Sequence, residues 1–201
     1  MTPRSVAPET RLSLLARVGN KEDQAAWEQF VELYQPVIFR TAFYKGLQDA
    51  DAQDVTQQVL WSVAKALEQR PHDPDRARFR TWLATVTRNA AINALRSKRV
   101  DRGTGDSNVQ QRLQAVADNQ SDEAVLEREY QKELFRKAAR IIEGEFAADT
   151  WQAFWQTTIE EKSIADVADR LNKNVGSVYA ARSRIVRRLR EEVQRLQDEE
   201  K

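Results

Sequence analysis

The run Arg182-Ser183-Arg184-Ile185-Val186-Arg187-Arg188-Leu189-Arg190 sets five guanidinium groups in a stretch without an acid. A guanidinium fork suits phosphate oxygens and the O6/N7 edge of guanine, so the chemistry on offer is DNA recognition rather than bond making. The preceding residues must position it. Ser163 and Asp166 have the spacing of a capping box, and Ile164, Val167, Ala168 and Leu171 follow at i, i+3, i+4, i+7 as one apolar stripe. Asn172-Lys173-Asn174 ends that helix, and Asn174 can cap the next, in which Val178, Ile185 and Leu189 face inward. Two short helices, a tight turn and an arginine-dense second helix predict a helix-turn-helix whose second helix enters a major groove. An amphipathic helix pair with a solvated basic face is the alternative that this segment alone leaves open.

The 201 residues suit one or two small domains, and 41% hydrophobic residues are enough for a core. Absence of cysteine removes disulfide and thiolate-metal chemistry. No apolar run is long enough for a transmembrane helix, and Leu12 to Ala16 is too short and interrupted for a signal peptide, so a cytoplasmic protein without membrane insertion is expected. The net charge of +1 conceals segregation: Asp49, Asp51 and Asp54 cluster, Glu191 to Glu200 is acidic, and arginines gather elsewhere. A nucleic-acid footprint is local, so a near-neutral total does not oppose it.

All five prolines fall at or before Pro74, and no window alternates as a buried strand does, so an all-α chain is expected. Trp27, Phe30, Val31, Tyr34, Val37 and Ile38 keep helical spacing, with Pro36 expected to kink or divide their helix. Asp49 or Asp51 can cap a second helix carrying Val55, Val59, Val63, Ala66 and Leu67. Pro71 to Asp75 reads as a loop, and a third helix shows Phe79, Trp82, Leu83, Val86 and Ala90 on one face. Asp101 to Ser121 is polar and glycine-containing, a linker with at most a short helix. Helical spacing resumes with Leu126, Tyr130, Leu134, Ala138 and Ile141, then Trp151, Phe154, Trp155, Thr158 and Ile159. Two small helical domains joined by a flexible linker are therefore expected.

These residues resemble a family, the extracytoplasmic-function (ECF) group of bacterial RNA polymerase sigma factors. Asp51-Ala52-Gln53-Asp54-Val55-Thr56-Gln57-Gln58-Val59 is similar to its D-A-x-D-hydrophobic-x-Q-x-V segment. Phe79 to Asn89 is similar to its F-x-x-W-L-x-x-I-x-R-N segment, and the helix-turn-helix is the third likeness. Together they span about Ala26 to Arg190 in the family's order. The resemblance implies an N-terminal extension over 1–20, a region-two domain over 21–100, a linker over 101–122, a region-four domain over 123–195 and an acidic tail over 196–201. The implied function is to bind core RNA polymerase, recognise minus-10 and minus-35 promoter elements and direct transcription initiation.

Site residues follow on the same terms. Asp51, Asp54, Gln57 and Gln58 share one helix face opposite Val55 and Val59. Spacing alone allows a first turn made acidic to suit the helix dipole; the resemblance implies docking on a coiled coil of the polymerase's largest subunit. Gln53 and Gln58 stand where the family often has Glu, leaving this face less acidic. Arg78, Arg80, Arg88, Asn89, Arg96, Lys98 and Arg99 supply donors for melted minus-10 DNA, with Trp82 expected in the core and Asn89 off its stripe. The loop from Arg70 to Arg78 is where the family captures a flipped base. For minus-35 DNA the polar face offers Ser177, Tyr179, Ala180, Arg182, Ser183, Arg184, Arg187 and Arg188. Many family members read T-V-K-S-R where this chain has Ser177-Val178-Tyr179-Ala180-Ala181, so its arginine comes one place later, at Arg182, and the family's promoter consensus is not carried over.

Other classes fare worse. The lone His72 lies in a proline-flanked acidic loop, and no phosphate loop, metal-spaced cluster or nucleophile motif appears, so no enzyme, cofactor or small-molecule substrate is expected. A stand-alone helix-turn-helix regulator that never meets polymerase needs neither the acidic helix nor the basic third helix. A helical adaptor needs no arginines gathered on one face. The resemblance adds an anti-sigma factor as a candidate partner.

Overall fold

A computed structural model of the chain describes residues 14–69, 76–102 and 119–200, and of 76–78, 98–102 and 119–121 the backbone only. The described residues are all-helical, without a strand. In order they form α1 (Leu14–Val18), α2 (Gln24–Tyr44), α3 (Asp49–Gln69), α4 (Arg76–Arg102), α5 (Asn119–Ile142), a 3-10 turn (Glu143–Glu145), α6 (Ala148–Thr158), α7 (Ile164–Arg170) and α8 (Val175–Glu199). They divide into two compact units, one of residues 1–131 with 199–201 and one of residues 132–198. The first unit takes in the start of α5, which the sequence boundaries assigned to the later domain.

The first unit is a helical bundle around an aromatic cluster. Phe30 and Tyr34 of α2 stack at 4.6 Å between centroids, Phe79 of α4 meets both edge-on, and Tyr130 of α5 stacks on Tyr34 at 5.8 Å. Val55, Val59, Leu60 and Val63 of α3 and Leu83, Ala91 and Leu95 of α4 are buried around it. Burial pushes the Tyr34 phenol well above its usual range, helped by the charge of Glu200. Pro36 does not divide its helix: α2 is continuous through Tyr44. Leu33 and Tyr34 before it and Val37 and Ile38 after it bury into one core, which outweighs the lost backbone donor.

The N-terminal extension is also not outside the fold from Leu14 onward. Leu14, Leu15 and Val18 are buried, and Asp23 caps α2 by accepting the Ala26 amide at 2.9 Å while binding the Arg17 guanidinium at 2.9 and 3.1 Å. Arg17 and that amide hold the Asp23 carboxyl below the usual carboxylate range. Gly19 permits a close approach here, since a Cβ would stand 2.9 Å from the Leu67 carbonyl oxygen.

In the second unit the two caps expected from sequence are present: Ser163 Oγ accepts the Asp166 amide at 3.1 Å and Asn174 Oδ1 accepts the Ser177 amide at 2.7 Å. The turn between α7 and α8 places Asn172 in the left-handed region, at φ 50°, a conformation Asn tolerates better than most residues. Ala153, Val167, Ala168, Val178 and Ala181 form the core that fixes α7 against α8, with Ile164 and Leu171 partly buried beside it. One register differs: Ile142 is fully buried whereas Ile141 is 42% exposed, because Leu126, Tyr130, Leu134 and Ala138 continue in steps of four.

The acidic end is part of the fold up to Glu200. Helix α8 runs to Glu199, with Glu192 and Leu196 buried, and Glu200, grouped with the first unit, is buried and accepts the Tyr130 hydroxyl at 2.5 Å. Glu192 is bound by Arg195 and by Arg188 at 3.0 Å, and these contacts hold its carboxyl below the usual range. A depressed folded-state pKa contributes stability above the unfolded carboxyl value, about pH 4.3, and loses it as pH falls through the lower folded value. Glu192→Gln should therefore flatten the acid limb of thermal stability below about pH 4.3 relative to the parent, as followed by circular dichroism melts across that range. An unchanged acid limb would remove Glu192 from the account of acid sensitivity.

Candidate nucleic-acid interface

Helix α8 exists as a surface because its inward stripe is regular: Val178, Ala181, Ile185, Leu189, Glu192 and Leu196 are buried at steps of three and four. The opposite side is left to Ser177, Tyr179, Ala180, Ser183, Arg184 and Arg187, all exposed, with Arg182 partly buried at the edge. The cap at Asn174 leaves the first turn of the helix open at the end that a recognition helix presents to base edges. Arg188 is different. Its Nε and Nη2 donate to Glu145 at 2.7 and 2.6 Å, and its Nη1 donates to Glu192 at 3.0 Å. The Glu145 hydrogen bonds, with Glu192 added, push this guanidinium to a still higher pKa. Three donors are thus used inside the unit, which makes Arg188 a brace for the helix and leaves Arg184, Arg187 and Arg190 as the exposed arginines of the run.

Helix α4 of the first unit, the third helix expected from sequence, divides the expected donors the same way. Asn89 and Arg96 are exposed. Arg80 is turned inward, its Nε donating to Glu127 Oε2 at 2.7 Å and its guanidinium lying 4.7 Å over the Tyr130 ring. Burial opposes its charge, and Glu127 with the two tyrosines more than compensates, leaving its pKa raised. Arg88 is partly buried, with Nε 3.9 Å from Asp122 and Nη2 donating to Asn89 Oδ1 at 3.3 Å. Trp82 is partly buried against Phe79 at 5.7 Å. The Arg78, Lys98 and Arg99 side chains, and residues 70–75 of the expected base-capture loop, lie outside the described residues. Residues 76–78 of the expected loop lie in α4.

On α3, Val55 and Val59 are buried and Asp54, Gln57 and Gln58 are exposed, with Asp51 partly buried beside them. Trp61 lies one turn beyond Gln57 and Gln58, 66% exposed, with Lys65 Nζ 5.3 Å from its ring centroid. Nothing in the sequence reading singled it out, although its position off the Val55, Val59, Val63 stripe was a usable signal. Arg40 and Lys45, which pair with α5, were missed as well. No helix among the described residues is long and apolar enough to cross a membrane.

Residues 30–100, which contain α3 and most of α2 and α4, match the family model for sigma-70 region 2. The chain is 28% identical over 90 residues to the ECF RNA polymerase sigma factor RpoE of Cereibacter sphaeroides, a stretch covering 44% of this chain. The match spans about half of that protein, 48% of its length.

Proposed function

We propose, from the premise that residues 30–100 are a sigma-70 region 2 domain and that both similarities support an ECF sigma factor, that this chain works as one. It carries out no chemistry of its own. It docks on core RNA polymerase through Asp51, Asp54, Gln57 and Gln58 of α3 and holds melted minus-10 DNA along α4. Minus-35 duplex is read with α8, where Ser177, Tyr179, Ala180, Arg182 and Ser183 lie nearest the capped end and Arg184 and Arg187 reach phosphates. Promoter DNA and core polymerase are its partners, and the cytoplasm is where both are found.

The observation that carries this reading is the coincidence of the region 2 match with an exposed polar face on α3, in a chain that also folds a capped helix-turn-helix. A stand-alone DNA-binding regulator has no use for that face. The test is co-purification of the chain with bacterial core RNA polymerase. A stable complex is expected; duplex-DNA affinity without polymerase association would favour the stand-alone regulator.

A further inference from the structure

We infer that Arg40, Lys45, Arg80 and Arg88 form a binding site for nucleic-acid phosphates, and that the acidic first half of α5 fills it in the isolated chain. The inference rests on the DNA-binding reading of α4 and extends it to α2 and α5. All the residues concerned belong to the first unit.

The four cations come from two helices and converge on one strip of α5. Lys45, at the end of α2, contacts Asp122, and Arg88 of α4 approaches the same carboxylate at 3.9 Å. Arg80 binds Glu127 at 2.7 Å, and Arg40 of α2 reaches Glu129 at 4.0 Å. Thr81, beside Arg80, donates to Glu123 at 2.7 Å. At a rise of about 1.5 Å per residue these carboxylates run over roughly 10 Å of helix. A row of anions laid along a row of cations has the charge pattern of a nucleic-acid backbone in its groove.

The fit is incomplete in a way that points to a replaceable occupant. Nε of Arg88 is buried without a hydrogen bond, as is the Thr87 hydroxyl. Asp122, at 4% side-chain exposure, is in contact with the Lys45 ammonium, while Arg88 stays beyond hydrogen-bond distance of it. Buried charges in poor geometry recover little of their desolvation cost, so this contact is weakly favourable for a permanent one. A phosphodiester offers more acceptor oxygens per charge and can meet Arg88, Lys45 and Thr87 together. Displacing the first half of α5 would expose four cations at once, so the isolated chain should bind single strands weakly and an opened one strongly.

The test uses the full chain and a fluorescently labelled single-stranded DNA oligonucleotide of mixed sequence, with anisotropy read across a salt titration. Asp122→Asn with Glu127→Gln should bind about tenfold more tightly than the parent, with a salt slope steeper by about 1.4 for two further phosphate contacts. Adding Arg80→Ala and Arg88→Ala to that variant should abolish the gain. Asp122 is buried, so Glu123→Gln with Glu127→Gln, both on the more exposed side of α5, serves if the first variant melts early; about a threefold gain is expected. Unchanged affinity and slope in folded variants, or a gain that survives removal of both arginines, would overturn the site. Core polymerase association of the same variants is read separately and should match the parent. If the parent fails to associate while the DNA gain is present, the polymerase-docking proposal fails and the phosphate site stands.

Discussion

Asp54→Lys should weaken association with core RNA polymerase by tenfold or more, about 1.4 kcal/mol at the least, while leaving the melting temperature of the chain nearly unchanged. Asp54 is exposed on α3, and the residues that hold this helix in the bundle, Val55, Val59, Leu60 and Val63, are buried on its other side. Surface substitutions away from packing features usually stay within about 0.5 kcal/mol of neutral. The position is also the sixth residue of the helix, beyond the first turn where the dipole favours an acid. Structural loss is therefore small, and functional loss comes from setting a lysine against a partner surface that is complementary to acid and amide groups. The charge reversal matters more here because Gln57 and Gln58, its neighbours on the face, carry no charge to share the load. Isothermal calorimetry or co-purification with core polymerase reads the first effect and circular dichroism melts the second. Retained association with an intact fold would move the docking surface elsewhere on the first unit.

A second large effect is expected on α8. Arg184→Ala and Arg187→Ala should each weaken promoter binding and lower its salt slope by about 1, as the loss of one phosphate contact does. Both side chains are exposed and one turn apart on the face opposite Val178, Ile185 and Leu189. Arg188→Ala provides the contrast within the same helix. Its guanidinium is bound to Glu145 and Glu192, so its loss should lower the melting temperature of the second unit and leave the salt slope close to that of the parent. A promoter duplex bound by the polymerase complex, titrated with salt, separates these outcomes. Unchanged affinity and slope in both Arg184→Ala and Arg187→Ala would take α8 off the DNA.

What could be read in the sequence was whatever is decided within a turn or two of helix. The Ser163 and Asn174 caps, the Val178, Ile185, Leu189 stripe and the Val55, Val59 face depend on neighbours at most a few residues away, and each is present. Long-range pairing was not legible. Arg80 has the composition of a DNA contact, but its partner Glu127 is 47 residues distant in sequence, and nothing local announces it. Arg188 and Glu192 show the same limit: a charge run states the sign of each group, not which groups will face each other. The acids after Arg190 read only as an acidic tail, whereas the i, i+4 contact from Arg188 and the i, i+3 contact to Arg195 accompany a helix that runs on to Glu199. Pro36, expected to kink or divide its helix, leaves α2 undivided, because residues on both sides of it bury into one core.

The central claim, that this chain gives a polymerase its promoter, is tested most directly by run-off transcription with core RNA polymerase, purified chain and a library of genomic fragments. The account predicts discrete transcripts that require the chain, that share two upstream elements, and that disappear with Asp54→Lys. Tight association with core polymerase and no chain-dependent start site on any fragment would contradict it.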